Sequence, residues 1–283
     1  MPKTLRQLLR QATTALERTG RPQARLDAEV LLGWVLGHER AWLYAHPEAE
    51  AGAASAERFL ELIARRAAGE PLQYLTGVQE FYGRQFAVSP AALIPRPETE
   101  LVVEAALERL AREQPARVLD VGTGSGCIAV TMALERPRAL VAATDTSPGA
   151  LALARHNAEA LGARVRLVAA DLMAGLGGGW DLVVSNPPYV AAAELAGLQA
   201  EVRDHEPRAA LVAGPAGTEV YARLIPAAHA GLRPGGWLVL ELGYAAAEAV
   251  REMLGAGWEG VTVRPDLQGW PRVLLARRLA IGD

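Results

Sequence analysis

The stretch Asp120-Val121-Gly122-Thr123-Gly124-Ser125-Gly126 decides how this chain is read. The apolar run at 118–121 before it has the length and branching of a buried strand, and 127–135 after it follows helical spacing. Glycines between a strand and a helix let backbone approach a ligand closely and free N–H groups at the helix start. Position weighs more than composition here, because open α/β sheets bind their ligands beyond the carboxyl ends of strands. A tight turn with no ligand would use the same residues, so the surroundings must decide.

Outward from this turn, strands and helices alternate. Strands are expected at 140–144, 164–169, 182–185 and 237–242, with helices at 149–161, 221–231 and about 245–254. Two last strands, about 258–264 and 272–278, have no helix between them and should form an antiparallel hairpin at one edge. The result is a seven-stranded, mostly parallel, doubly wound α/β sheet covered on both faces. The glycine patch Gly175 to Gly179 reads as a short surface turn.

Upstream the pattern is helical only. Thr4-Leu5-Arg6-Gln7 is a capping box. Leu5, Leu8, Leu9, Ala12 and Leu16 then share one helix face, and Leu26, Val30, Leu31, Trp34 and Val35 repeat the spacing. A third helix opens at Ser55, runs through Phe59, Leu60, Ile63 and Ala67, and is stopped by Gly69 and Pro71. Between Lys3 and Arg25 stand six basic side chains against the single acid Glu17, which makes either a solvated face or a docking surface for an acidic partner. Glu80-Phe81-Tyr82-Gly83-Arg84-Gln85-Phe86 reads as a hairpin joining two domains. The expected division is a helical bundle over 1–77, a hairpin linker over 78–92 and the α/β domain over 93–283.

Composition agrees. A chain of 283 residues, 51% hydrophobic and 22% charged, is an ordinary globular mixture, and at roughly 150 residues per domain it holds about two. No apolar run reaches the length of a membrane span, and Met1-Pro2-Lys3 leads straight into a helix pattern without the apolar core of a secretory signal. The lone Cys127 makes no internal disulfide, which fits a reducing cytoplasmic compartment. A net charge of -3 gives no general attraction to nucleic acid, and no metal-ligating cluster is read. Asn157 and Asn186 are the only asparagines, so each invites a question about its job.

Asp145 follows the second strand, where an acid accepts hydrogen bonds from ribose hydroxyls. A dinucleotide dehydrogenase offers the same pair of features, but its fingerprint is G-x-G-x-x-G and this turn is G-x-G-x-G. A pyrophosphate suits a helix N-terminus. A sulfonium cation instead tolerates or uses a nearby acid such as Asp120. Asp171-Leu172, after the third strand, can accept from an adenine amino group and cover its ring, although Asp171 is equally placed to cap a turn. Ser185-Asn186-Pro187-Pro188-Tyr189 follows the fourth strand. Its prolines donate no N–H and stiffen the turn, so it offers acceptors. The Asn186 side-chain oxygen and the Pro187 carbonyl can take the two N–H groups of a planar amine or carboxamide, with Tyr189 against its flat face. His205 and Glu206 read as surface or structural, and Glu241 as a cap for the loop that follows it.

On these residues the chain resembles the class I S-adenosylmethionine-dependent methyltransferases, and within them the HemK/PrmC family of protein-(glutamine-N5) methyltransferases. The segments that carry the resemblance run in order along nearly the whole chain. They are Pro71-Leu72-Gln73-Tyr74, Glu80-Phe81-Tyr82-Gly83, Ile94-Pro95-Arg96-Pro97-Glu98-Thr99-Glu100, the glycine turn, Asn186-Pro187-Pro188-Tyr189 and Glu206-Pro207-Arg208. The resemblance implies S-adenosylmethionine as methyl donor and the glutamine of the Gly-Gly-Gln motif of peptide chain release factors as acceptor. It implies that Gly122, Thr123, Gly124, Ser125 and Gly126 line the methionine end of the cofactor, that Asp145 holds the ribose, and that Asp171 and Leu172 hold the adenine. Arg96 and Thr99 would close over the cofactor. Asn186, also near the methyl donor, would with Pro187, Pro188 and Tyr189 clamp the glutamine, while the helical domain touches the release factor. Leu172 departs from the aromatic many relatives carry there. Methylation of a DNA adenine or rRNA guanine amino group shares the Asn-Pro-Pro-Tyr turn, but the negative charge and the lack of a basic recognition insertion weigh against it.

Asp145→Ala is expected to weaken S-adenosylmethionine binding by about 1–3 kcal/mol, the scale of hydrogen bonds to a charged group. Calorimetry checks this, and unchanged affinity would remove Asp145 from the ribose role.

Overall fold

The computed structural model describes residues 3–280; Met1 and Pro2 lie outside the described residues. The chain divides into two compact units. One ends at Val78 and also takes in Gln199–His205, and the other comprises Gln79–Leu198 and the chain from Glu206 onward.

The helical unit holds α1 (Leu5–Glu17), α2 (Ala24–Leu36), α3 (Arg40–Ala45), α4 (Ala53–Ala67) and α5 (Leu72–Thr76). The Thr4/Gln7 capping box is formed in both directions, and Leu5, Leu8, Leu9, Ala12 and Leu16 are the buried face of α1. For α2 the expected face is corrected. Ala24, Ala28, Leu31 and Leu32 are buried, whereas Trp34 is 47% exposed. The reason is that α2 buries two acids. Asp27 is held by Arg66 of α4 at 2.7 Å, and Glu29 takes Arg25, Arg40 and the Tyr44 hydroxyl. Charges turned inward upset a hydrophobic periodicity. The basic N-terminal face is partly spent inside the unit too, with Arg21 on Glu201 and Arg25 on Glu29, while Arg10 and Arg18 stay exposed.

The larger unit opens inside β1 (Val78–Phe81), from Gln79 on, which β2 (Arg84–Ala87) follows across Tyr82-Gly83, both at positive φ as a tight two-residue hairpin requires. From Gln79 onward this hairpin falls within the α/β unit. Phe81 and Phe86 are fully buried in its core, edge to face with centroids 5.9 Å apart. Then come α6 (Pro97–Leu107), β3 (Arg117–Val121), α7 (Cys127–Glu135), β4 (Leu140–Asp145), α8 (Pro148–Ala160), β5 (Val165–Ala169) and β6 (Trp180–Ser185). The segment to 218, for which the sequence predicts no elements, holds β7 (Val190–Ala191), α9 (Ala200–His205, within the helical unit), α10 (Arg208–Leu211) and β8 (Val212–Gly214). The chain closes through α11 (Glu219–Gly231), β9 (Leu232–Glu241), α12 (Ala247–Glu252), β10 (Trp258–Pro265) and β11 (Pro271–Arg278).

The seven-stranded sheet runs β10-β11-β9-β6-β3-β4-β5. Strands β9, β6, β3, β4 and β5 are parallel, and β11 is antiparallel to both its neighbours, so the closing hairpin forms the expected edge. From β3 the chain proceeds to β4 and β5 on one side, and β6 and β9 continue on the other. The crevice between their carboxyl ends is where such sheets bind ligands. One apolar core lies on each face, one under α6 and α7 and one under α11 and α12.

Asn157, on α8, staples this arrangement. Its Nδ2 donates to the carbonyls of Ser125 (2.9 Å) and Ala87 (3.0 Å), and its Oδ1 accepts from the Ala87 N–H at 2.8 Å. One buried amide thus binds hairpin strand β2 to the glycine turn. Asn157→Ala strands these buried backbone groups and is expected to cost about 2–4 kcal/mol. Urea denaturation of the two proteins measures the difference.

Candidate functional site

The glycine turn leaves β3 with Gly122, Gly124 and Gly126 all at positive φ. At Gly126 a Cβ would lie 3.0 Å from the Ala154 Cβ, so glycine there serves close packing of the turn on α8 as well as its conformation. Below the turn Asp120 is fully buried. Its Oδ2 accepts from the Thr123 hydroxyl (2.6 Å) and the Ala129 N–H (3.2 Å), and its Oδ1 has no protein partner. Burial pushes this carboxyl up to about 7. The turn's own N–H groups are largely engaged. Gly122 and Thr123 donate to the Thr144 carbonyl, Gly126 to that of Thr123, and Gly124 to Asp145 Oδ2 at 2.9 Å. Asp145 Oδ1 accepts from the Ser147 N–H at 2.8 Å. Each Asp145 oxygen keeps a second lone pair for hydroxyl donors.

A cavity of about 300 Å³ opens over this edge. It brings together the expected residues Arg96, Thr99, Gly122, Thr123, Gly124, Ser125, Asp145, Asp171, Leu172, Asn186, Pro187 and Pro188. Gly126 and Tyr189 are not among the lining residues. Gly126 caps α7 behind the turn. The Tyr189 ring instead packs on Gly243, where a Cβ would come within 2.9 Å of it. Leu172 is at φ 53, a strained conformation for a branched residue, and its side chain packs on the core under α11 and α12.

Both arginines that line the cavity are already paired, Arg96 with Glu206 and Arg223 with Asp171. With turn N–H groups occupied and the cations neutralised, the wall is acidic on balance. That suits a ligand carrying a positive centre and ribose hydroxyls, and it disfavours a pyrophosphate. The residues therefore fit S-adenosylmethionine better than a dinucleotide.

Three contacts went unread in the sequence. Glu206 is buried and structural, accepting from the Ile94 N–H at 3.1 Å as well as from Arg96, so it pins the proline-rich segment to the cavity wall. The Ser185 hydroxyl donates to the Val121 carbonyl at 2.6 Å and ties the two functional turns together. Glu241 does not cap its loop by its side chain. It is buried, and its Oε2 accepts from the Thr99 hydroxyl at 2.6 Å, while Thr99 Oγ1 accepts from Asn186 Nδ2 at 3.1 Å. Thr99 is thus engaged within the protein on two sides. Burial pushes the Glu241 carboxyl to about 7.

Residues 7–77 match the model of the PrmC N-terminal domain, and residues 99–202 match the methyltransferase small domain. The release factor glutamine methyltransferase of Koribacter versatilis is 48% identical over 277 residues, covering 97% of this chain and 99% of that protein. That of Moorella thermoacetica is 49% identical over 280 residues, with 97% and 99% covered. Among solved structures, a 16S rRNA methyltransferase of T. thermophilus, in complex with AdoMet and guanosine, superposes with a TM-score of 0.52 at 20% identity, over 71% of this chain and 49% of that one. That likeness is one of fold.

The two raised carboxyls have a consequence for stability. Between about pH 4.5 and 7 the folded chain keeps protons on Asp120 and Glu241 that the unfolded chain has lost, so each makes stability fall as pH rises through that window. The slope is at most about 1.4 kcal/mol per pH unit for each group. Denaturation midpoints followed across this range should fall less steeply in Asp120→Asn and in Glu241→Gln than in the parent.

Proposed function

The chain belongs to the release factor glutamine methyltransferase family, and from that premise we propose that it transfers the methyl group of S-adenosylmethionine to the side-chain amide nitrogen, N5, of the glutamine in the Gly-Gly-Gln motif of peptide chain release factors. The observation that carries this reading is the meeting of two turns at one cavity. The glycine turn with Asp145 suits the donor, and the Asn186-Pro187-Pro188 turn suits a carboxamide.

When bound, S-adenosylmethionine supplies a methyl group made electrophilic by its sulfonium. Gly122, Thr123, Gly124 and Ser125 would line its methionine end, with Gly126 shaping the turn behind them, Asp145 would be its ribose contact, and Asp171 with Leu172 its adenine contact. The difficult partner is the amide nitrogen, whose lone pair is delocalised into its own carbonyl. Asn186 Oδ1 and the Pro187 carbonyl accept one N–H each and set the nitrogen's direction. As the nitrogen gains positive charge its hydrogens become more acidic, so the same two acceptors hold it more strongly in the transition state than before it. Orientation supplies the rest. No base is needed before transfer, because the proton becomes acidic only afterwards. Tyr189, braced on Gly243, keeps the turn in place.

In this reading the helical unit recognises the release factor, and the enzyme works in the cytoplasm beside its substrate. Among the described residues no helix is long and apolar enough to cross a membrane.

Asn186→Ala should fold and keep much of its cofactor affinity, with turnover down by about 10²–10³, as when one preorganised hydrogen-bonding group is lost. Asn186→Asp keeps an acceptor oxygen and should retain more activity than Ala. The assay offers radiolabelled S-adenosylmethionine with release factor, DNA and rRNA in parallel. Label on nucleic acid rather than on release-factor glutamine defeats the substrate assignment. Equal inactivity of Ala and Asp, both binding cofactor, defeats the acceptor mechanism.

A further inference from the structure

A carboxamide side chain has two ends of nearly equal shape and opposite hydrogen-bonding character. If Asn186 steers the substrate nitrogen as an acceptor, its oxygen must face the cavity. The flipped amide would set N–H against N–H. Nothing in the shape of asparagine decides between the two, so a neighbour must.

Thr99 sits in the first turn of α6 and is 1% exposed; Glu241 ends β9 and is also 1% exposed. The Thr99 hydroxyl has one proton and donates it in a hydrogen bond to Glu241 Oε2, with the two oxygens 2.6 Å apart. Only lone pairs are left for Asn186, whose Nδ2 approaches Thr99 Oγ1 at 3.1 Å. Donation therefore runs one way, from Asn186 to Thr99 to Glu241, and Oδ1 is turned away from Thr99. Among the described residues no ion pair reaches Glu241. A buried carboxylate without a paired cation is unfavourable for folding alone, and its hydrogen-bond donor here is the residue that orients Asn186.

We propose that Thr99 and Glu241 are positioning residues which fix the amide of Asn186 with its oxygen toward the substrate nitrogen. This inference rests on the reading of Asn186 as acceptor. The chain of donation needs Glu241 as a carboxylate. Once protonated, Glu241 can donate to Thr99, which then turns its own proton to Asn186 and frees the amide to flip. Burial sets the Glu241 carboxyl near 7. The charged groups around it are Arg272 of β11, and Arg96 and Glu98 at the start of α6. Tyr189, Tyr221 of α11 and Cys127 of α7 also feel its charge, and burial raises the pKa of each, leaving them neutral in this range. Turnover should rise with pH through about 7 in the parent, and this limb should vanish in Glu241→Gln.

The decisive experiment is a double-mutant cycle on the full chain with release factor as substrate. Thr99→Val should lower kcat by about 10–100-fold, the range for partners that act through another residue, with cofactor affinity and thermal midpoint measured alongside. Thr99→Ser, which keeps the hydroxyl, should restore turnover. In an Asn186→Ala background neither Thr99→Val nor Glu241→Gln should cost anything further, because the group they orient is gone. Should Thr99→Val prove unstable, the Glu241→Gln arm of the cycle and its pH profile carry the same test. Full turnover in Thr99→Val, or equal losses with and without Asn186, would overturn the positioning role. A parent enzyme that puts no methyl on glutamine would instead overturn the reading beneath it.

Discussion

Strands β3 and β6 lie side by side and parallel, yet their connections leave in opposite directions, and the two turns that meet at the cavity depend on that parting. The turn after β3 is rich in glycine and lets backbone come close to a ligand. The turn after β6 is rich in proline and presents carbonyls without N–H groups. Two turns of opposite character on neighbouring strands thus face one cavity. The Ser185 hydroxyl bridging to the Val121 carbonyl makes their separation a property of the sheet rather than of either loop.

The supports around these turns are polar and buried. Asn157 carries the hairpin onto the glycine turn, Glu206 holds the backbone at Ile94, and Asp120 orders the turn from below. Each satisfies backbone or hydroxyl groups that would otherwise be stranded. A purely apolar wall would fill the same volume without fixing the angle of a hydrogen bond. The two asparagines divide this work, one holding the hairpin to the glycine turn and the other lining the cavity with its Nδ2 on Thr99.

Much of this was legible in the sequence because it is local. The limits of α7, the turn chemistry of Tyr82-Gly83 and the alternation of strand and helix each follow from a few adjacent residues. The motifs that line the cavity stand out for the same reason. What escaped is long-range or inverted. Thr99 meets Glu241 across 142 positions, and Arg96 meets Glu206 across 110, so no spacing announces either pair. The face of α2 was misjudged because Asp27 and Glu29 point inward to arginines on other helices or turns. The stretch after Tyr189 lacks any sustained period, since its elements are only two to six residues long.

The short helix α9 gives the architecture a different meaning from that of two beads on a string. The chain finishes the helical unit at Val78, enters the catalytic unit, and returns at Gln199–His205 before leaving again. In those seven residues Glu201 takes both Arg21 and Arg66. The helical unit is thus completed by a segment encoded some 120 residues later, between the substrate turn and the glutamate that anchors the cavity wall. Exchange of the N-terminal piece between related genes would transplant an arginine pair without the acid that answers it. The helical unit is therefore written in two separate places along the chain, and the two must change together if those ion pairs are to be kept.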